Sequence, residues 1–212
     1  MQGAFIKFGN LHHLQTMQND GLLYMNPIQY FWDIDDDNLR GDLLDSLKEY
    51  HKGSKAELIF NDNLNFKPTV KSWDLKIHAD NYQETNLFCM YALKPDTCPI
   101  PIKNYEFGNY ALLILYPDKF MDQIVSSIRK QKLNLRAELV SYVSDNHTGK
   151  IGSFVKLNKY KYQSEWRMQI NNGNGKPRKF HIGNISDISL IVKTSELSGV
   201  IEEKIMPIWK VR

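Results

Sequence analysis

The chain has 212 residues, of which 42% are hydrophobic and 24% charged, with 11 Tyr, 10 Phe and 4 Trp. That aromatic content excludes a disordered chain, and the length is enough to bury a core without covalent staples. Its 27 basic against 24 acidic residues leave a net charge of +3, too balanced for bulk charge alone to imply nucleic-acid binding.

Two cysteines, Cys89 and Cys98, form no Cys-x-x-Cys pair and point to a reducing cytoplasm. The start, MQGAFIKFGN, lacks the pattern of a signal peptide, and the longest apolar run, YALLILY, is far short of a membrane span. A soluble cytoplasmic protein with no membrane partner is expected, as a single domain over residues 1–212.

In chain order, AFIKF reads as a strand and Asn10 as the N-cap of a helix in which Leu11, Leu14 and Met17 recur at helical spacing, with Gly21 as its stop. A strand LLYMN follows, broken by Pro27. An acidic turn at Asp33, Asp35, Asp36 and Asp37 then precedes Leu43, Leu44 and Leu47, whose spacing fits a helix. AELIF and LFCMYAL read as strands around the asparagine-rich NDNLNF, a hairpin turn or ordered loop. Three prolines make 94–104 a loop. YALLILY reads as a strand covered on both faces, and Pro117 opens a helix over DKFMDQIVSSIRKQK. The final third reads as strands: AELVSYV, GSFVKL, KYKYQSEWRMQI, RKFHI and ISLIVK. The sum is an α+β fold.

KYKYQSEWRMQI carries the chemistry. Read as one strand, it puts Tyr160, Tyr162, Ser164, Trp166, Met168 and Ile170 on one side, and Lys159, Lys161, Gln163, Glu165, Arg167 and Gln169 on the other. An amide, a carboxylate and a guanidinium then project in a row. Facing water, Glu165 is a surface charge paired for under about 1 kcal/mol. Lining a cleft, it can hold a ribose hydroxyl and stabilise positive charge as a glycosidic bond breaks, while Gln163 orients the acceptor.

The Gln-x-Glu of YQSEWR resembles the glutamate motif of ADP-ribosyltransferases, and the opening FIKFGNLHHLQTMQNDGLLYMNPIQYF is similar to the strand, helix, strand start of their bacterial members. With RGDLLDS, NYALLILYPDKF and YKYQSEWRM, the chain also resembles a bacterial domain family of unassigned function that has a late Glu-Trp-Arg strand. The resemblance implies a pair of small antiparallel or mixed sheets with flanking helices and a cleft for NAD between them. It implies Glu165 and Gln163 as catalytic residues. Around the dinucleotide it implies Lys7 in the place of the family's Arg or His, Tyr24 as the aromatic near the nicotinamide, and Arg167. His13 and Asn26 are further ligand-contacting candidates, and Arg40 can supply a guanidinium if the acidic turn folds back over the cleft. The implied activity is NAD-dependent ADP-ribosyl transfer to a protein or nucleic-acid acceptor, in a phage defence or counter-defence setting. Lys7 departs from the family pattern, since an ammonium cannot make the bidentate phosphate contact of a guanidinium.

Two other readings stand beside it. Asp33, Asp35, Asp36, Asp37, Asp42 and Asp45 offer carboxylates for a divalent metal, which with Glu165 and Arg167 would make a nuclease. Arg167 cannot act as its base, and the spacing lacks the glycine and terminal Glu of a calcium loop, so no metal is assigned. Basic clusters in SIRKQKLNLR and GKPRKFH fit a catalytically inert module that binds a nucleotide, a nucleic acid or a partner protein.

Overall fold

The structure, a computed structural model, describes residues 3–34, 39–57 and 69–210. Asp35, Asp36 and Asp37 of the acidic turn, and the NDNLNF stretch, lie outside the described residues.

Strand β1 (Ala4–Gly9) leads into helix α1 (Leu11–Asp20). Asn10 caps that helix, its Oδ1 accepting the His13 backbone N–H at 2.9 Å, and Gly21 ends it in the left-handed region at φ 62°. Strand β2 (Leu22–Pro27) runs through Pro27, which then starts the short helix α2 (Ile28–Asp33), an element the sequence pattern does not announce. The expected helix around Leu43, Leu44 and Leu47 is a turn instead. Asp42 accepts the Leu44 N–H on its side chain and the Asp45 N–H on its carbonyl, and Ser46 has φ 58°. Side-chain acceptance of this kind competes with helical hydrogen bonding.

Strands β3 (Glu49–Glu57) and β4 (Thr69–Ile77) pair antiparallel. Then follow β5 (Asn86–Leu93), β6 (Tyr110–Ile114), α3 (Pro117–Gln131), β7 (Leu135–Leu139) and β8 (Ser141–Val143). The C-terminal part adds β9 (Gly149–Lys150), β10 (Val155–Leu157), β11 (Glu165–Ile170), β12 (Arg178–His181), β13 (Ser189–Lys193), α4 (Leu197–Lys204) and α5 (Met206–Lys210). The single strand expected over KYKYQSEWRMQI is therefore two elements. Asn158–Gln163 is a 3-10 turn, Ser164 reverses the chain at φ 36°, and only Glu165–Ile170 is extended. Tyr160 and Gln163 are drawn off by partners in residues 39–41, donating to the Gly41 and Leu39 carbonyls.

The main sheet runs β12-β2-β5-β1-β6-β13, with β11 on β5 and β7 on β11, all antiparallel. β5 is its branch point. β11 takes one edge from Asn86 to Tyr91, while the other edge is shared: β1 pairs with Tyr91–Leu93 and β2 with Asn86–Leu87. Between them β1 and β2 part, and the edge of β5 at 88–90 opens into a fork. Two small sheets, β8 with β10 in parallel and β4-β3-β9, complete an α+β architecture.

One face of the main sheet is apolar throughout. Phe5, Leu23, Met25, Phe88, Met90, Leu112, Trp166, Met168 and Ile170 pack under Leu14 and Met17 of α1 and Phe120, Ile124 and Ile128 of α3. Trp166 stacks on Phe5 at 4.6 Å. The opposite face is divided. Over β1 and β6 it is apolar, with Ile6, Leu93 and Leu113 meeting Leu197, Ile201 and Ile205; over β11 it is charged, and buried. As the unbroken apolar run implies, residues 111–114 of β6 are inaccessible on both faces. Among the described residues no helix is long and apolar enough to cross a membrane.

Gly21 tests the stop of α1. Its φ of 62° disfavours any side chain, and a Cβ there would run into the backbone of Gly183, while its own carbonyl accepts the Ile182 N–H at 3.0 Å. Gly21→Ala is expected to destabilise the fold by at least about 1 kcal/mol, seen as a lower urea midpoint at unchanged slope.

Candidate functional site

The alternation of β11 puts Trp166, Met168 and Ile170 in the apolar core and turns Glu165, Arg167 and Gln169 to the opposite face. That face is covered by residues 39–48 and 140–163, so the polar row neither faces water nor lines an open cleft. Arg167 is 0% exposed and Glu165 6%.

A buried charged group needs partners, and Arg167 has them at every N–H. Nε donates to Glu165 Oε1 at 3.1 Å, and Nη2 to Glu165 and to Asp45 Oδ2, both at 2.9 Å. Nη1 donates to Asp45 Oδ1 at 2.8 Å and to the Ser153 carbonyl at 2.6 Å. Lys156 is the second cation. Its Nζ lies 3.1 Å from Glu165 Oε2 and 3.6 Å from Asp45 Oδ2, and donates to Gln163 Oε1 at 2.9 Å. Two carboxylates and two cations thus form a neutral buried quartet joining β11, β10 and the turn at Asp42–Leu47. Ser46 Oγ donates to Asp45 Oδ1 and the Tyr142 hydroxyl accepts the Glu165 N–H.

The electrostatics follow from these contacts. Burial raises the Glu165 carboxyl, but Arg167, Lys156 and the Cys89 thiol outweigh it and bring the group from 4.5 down to about 2. Asp45 is lowered in the same way against its own burial, by Arg167 and then Lys156. Burial, with the adjacent Asp45 charge, raises Asp42. Burial and the neighbouring Glu165 push the Cys89 thiol up to about 12, so it is a hydrogen-bond donor and no nucleophile.

Lys7 sits in the fork. Its ammonium donates to the Cys89 carbonyl at 2.7 Å and lies 4.6 Å from the Phe88 ring centroid, filling the stretch of β5 edge that β1 has left. Burial lowers its pKa; Cys89 and Glu165 oppose that shift, and Arg40 adds to it. Lys7 is thus within electrostatic reach of both Glu165 and Arg40. The exposed Arg40 reaches back to the Phe107 carbonyl at 3.2 Å, so this segment does fold over the body.

Of the residues singled out in the sequence, Gln163, Glu165 and Arg167 come together in the quartet and its shell, with Lys7 and Arg40 beside them. The other three lie elsewhere. His13 is on the exposed first turn of α1, where its Nδ1 meets Asn10 Nδ2 at 3.1 Å. Tyr24 is 45% exposed beneath Lys179, whose Nζ is 5.4 Å from the ring centroid. Asn26 lies in register with Leu87 where β2 joins β5. Among the described residues no three His, Cys, Asp or Glu side chains are grouped as a metal site would need, and Asp42 and Asp45 are committed to hydrogen bonds and ion pairs.

Sequence reasoning missed Lys156 entirely and offered Asp45 only as one of several carboxylates for a metal. Lys156 carries a signal in retrospect, a lysine between Val155 and Leu157 in an apolar strand. Comparison with family models, with curated proteins and with solved structures finds no match to this chain.

Removing one charge of the quartet leaves the others buried and uncompensated. Glu165→Gln is expected to cost about 3–5 kcal/mol in urea denaturation. Acid carries a second expectation. A carboxyl whose folded pKa lies below its unfolded one stabilises the fold above the unfolded value and loses that contribution as pH falls. For Glu165 this window runs from 4.5 down to about 2, and Asp45 acts in the same direction while Asp42 opposes it. Stability measured by urea denaturation should therefore fall between those limits, less steeply in a double variant Asp45→Asn, Glu165→Gln.

Proposed function

We propose that the chain is a nucleotide-binding module that grips phosphate at the fork of its main sheet, rather than a transferase. The observation that carries this reading is Lys7, a cation drawn into the fork and hydrogen-bonded to a neutral carbonyl. Among the described residues no carboxylate forms an ion pair with its ammonium. A buried ammonium held by a neutral carbonyl is stabilised by an anion brought beside it, and a diphosphate such as that of NAD supplies one. Full commitment of Glu165 and Gln163 to Arg167, Lys156 and the Leu39 carbonyl argues against their holding a ribose or an acceptor.

One observation favours the transferase as second reading: Glu165 pairs in register with Tyr91 of β5, two residues from the Cys89 carbonyl that holds Lys7, which sets a carboxylate near the fork. Titration calorimetry with NAD and ADP-ribose, together with a radiolabelled NAD assay in lysate, separates the two. A binding module should bind both nucleotides, lose about tenfold or more in Lys7→Met, equivalent to about 1.4 kcal/mol, and transfer no label. Label transferred by the wild-type protein and lost in Lys7→Met would replace the module with the enzyme. Absence of binding by either nucleotide would dismiss the phosphate site.

A further inference from the structure

A cavity of about 370 Å³ opens on the other side of the quartet, where α2, the base of β3, the loop at 151–153 and the end of β11 meet. Its size suits a small organic ligand. It takes no part in the phosphate site at the fork, and neither Lys7 nor Arg40 lines it.

The wall is built for a ring. Tyr82 lines the cavity, and its ring packs against Trp32 and His78, each at 5.2 Å between ring centroids, with Trp32 and His78 at 4.5 Å from each other. Trp32 is fixed in turn, its indole N–H donating to the Asp45 carbonyl at 2.8 Å. A ring held by two others presents a flat apolar surface at little further entropic cost. Ile28 lines the same space.

The floor is polar and hangs from the quartet. Ser46 donates to Asp45, Ser153 accepts from Arg167 through its carbonyl, and Gln169 projects from the face of β11 that carries Arg167. The Gln169 amide nitrogen donates to Asn171 Oδ1 at 2.8 Å, and among the described residues its carbonyl oxygen has no donor. Hydroxyls and amides in this arrangement match the hydroxyls of a sugar or the edge of a heterocycle. At the rim Lys48 and Lys150 are exposed lysines, and Glu49, in register with Lys150, is already hydrogen-bonded to His51 at 2.8 Å. One carboxylate against two ammonium groups leaves the rim positive.

We infer that this cavity is a binding site for a ring-bearing phosphate of nucleoside-monophosphate size, with the ring on Tyr82, hydroxyls toward Ser46, Ser153 and Gln169, and the phosphate between Lys48 and Lys150. The quartet then has a second role. It fixes the wall and floor of the cavity in advance of the ligand, through Trp32, Ser46 and Ser153.

Titration calorimetry on the full chain with adenosine 5′-monophosphate, adenosine and inorganic phosphate tests this. The monophosphate should bind at least tenfold more tightly than adenosine or phosphate alone. Lys48→Ala with Lys150→Ala should weaken the monophosphate at least tenfold and leave adenosine unchanged, and Ala79→Trp, which fills the cavity from its lining, should abolish both. Lys7→Met should alter neither, which keeps the result distinct from the fork. Monophosphate binding no tighter than phosphate, or unmoved by Ala79→Trp, or lost in Lys7→Met but kept in the lysine pair, overturns the assignment.

Discussion

Arg167 is a guanidinium buried inside the protein, and the structure around it is arranged to satisfy its five N–H groups. A planar fork of donors cannot be satisfied by one neighbour, so it draws in acceptors from three separate pieces of chain: Glu165 on its own strand, Asp45 from the turn after α2, and the Ser153 carbonyl before β10. Two carboxylates beside one guanidinium leave a negative excess, and Lys156 removes it. The constraint is therefore topological as well as electrostatic. Segments about 120 residues apart in sequence must arrive at one point for any of these charges to be tolerable, as the Arg167 to Asp45 separation of 122 shows. Such clusters add little net stability compared with an apolar core, while breaking one is costly, so they act chiefly to specify one arrangement.

This division of labour explains the two halves of the second sheet face. Over β1 and β6, α4 closes the face with aliphatic contacts; over β11, loops close it with hydrogen bonds and ion pairs. Loops alone could not bury that surface apolarly, because their backbone groups would lack partners. Two places border the charged half. On one side is the fork with Lys7, and on the other the cavity under Tyr82.

The α+β class and most regular elements were legible because local signals agree with the fold: Asn10 and Gly21 around α1, Pro117 opening α3, the doubly covered run of β6. Where long-range partners override local pattern, the reading fails. The alternation of KYKYQSEWRMQI favours one strand, yet Gln163 and Tyr160 gain buried partners from residues 39–41 by turning. Leucine spacing at 43–47 favours a helix, yet Asp42 and Asp45 spend their side chains on a turn and on Arg167. As for the site, that Glu165 and Arg167 share one side of the strand could be read from their spacing. That both are buried could not, since it depends on Asp45, 122 residues from Arg167, and on Lys156, which marks itself only by charge between valine and leucine.

The ionisation of Glu165 reports on this centre most directly. Carboxyl-carbon NMR of protein labelled at glutamate side chains, titrated downward in pH with Glu165 assigned from the Glu165→Gln spectrum, follows that one group. A resonance that stays at its ionised position through pH 4 and begins to move only toward about 2 is the expected result. A midpoint near 4.5, with the fold intact, would mean that the carboxylate is exposed to water and that Arg167 organises nothing.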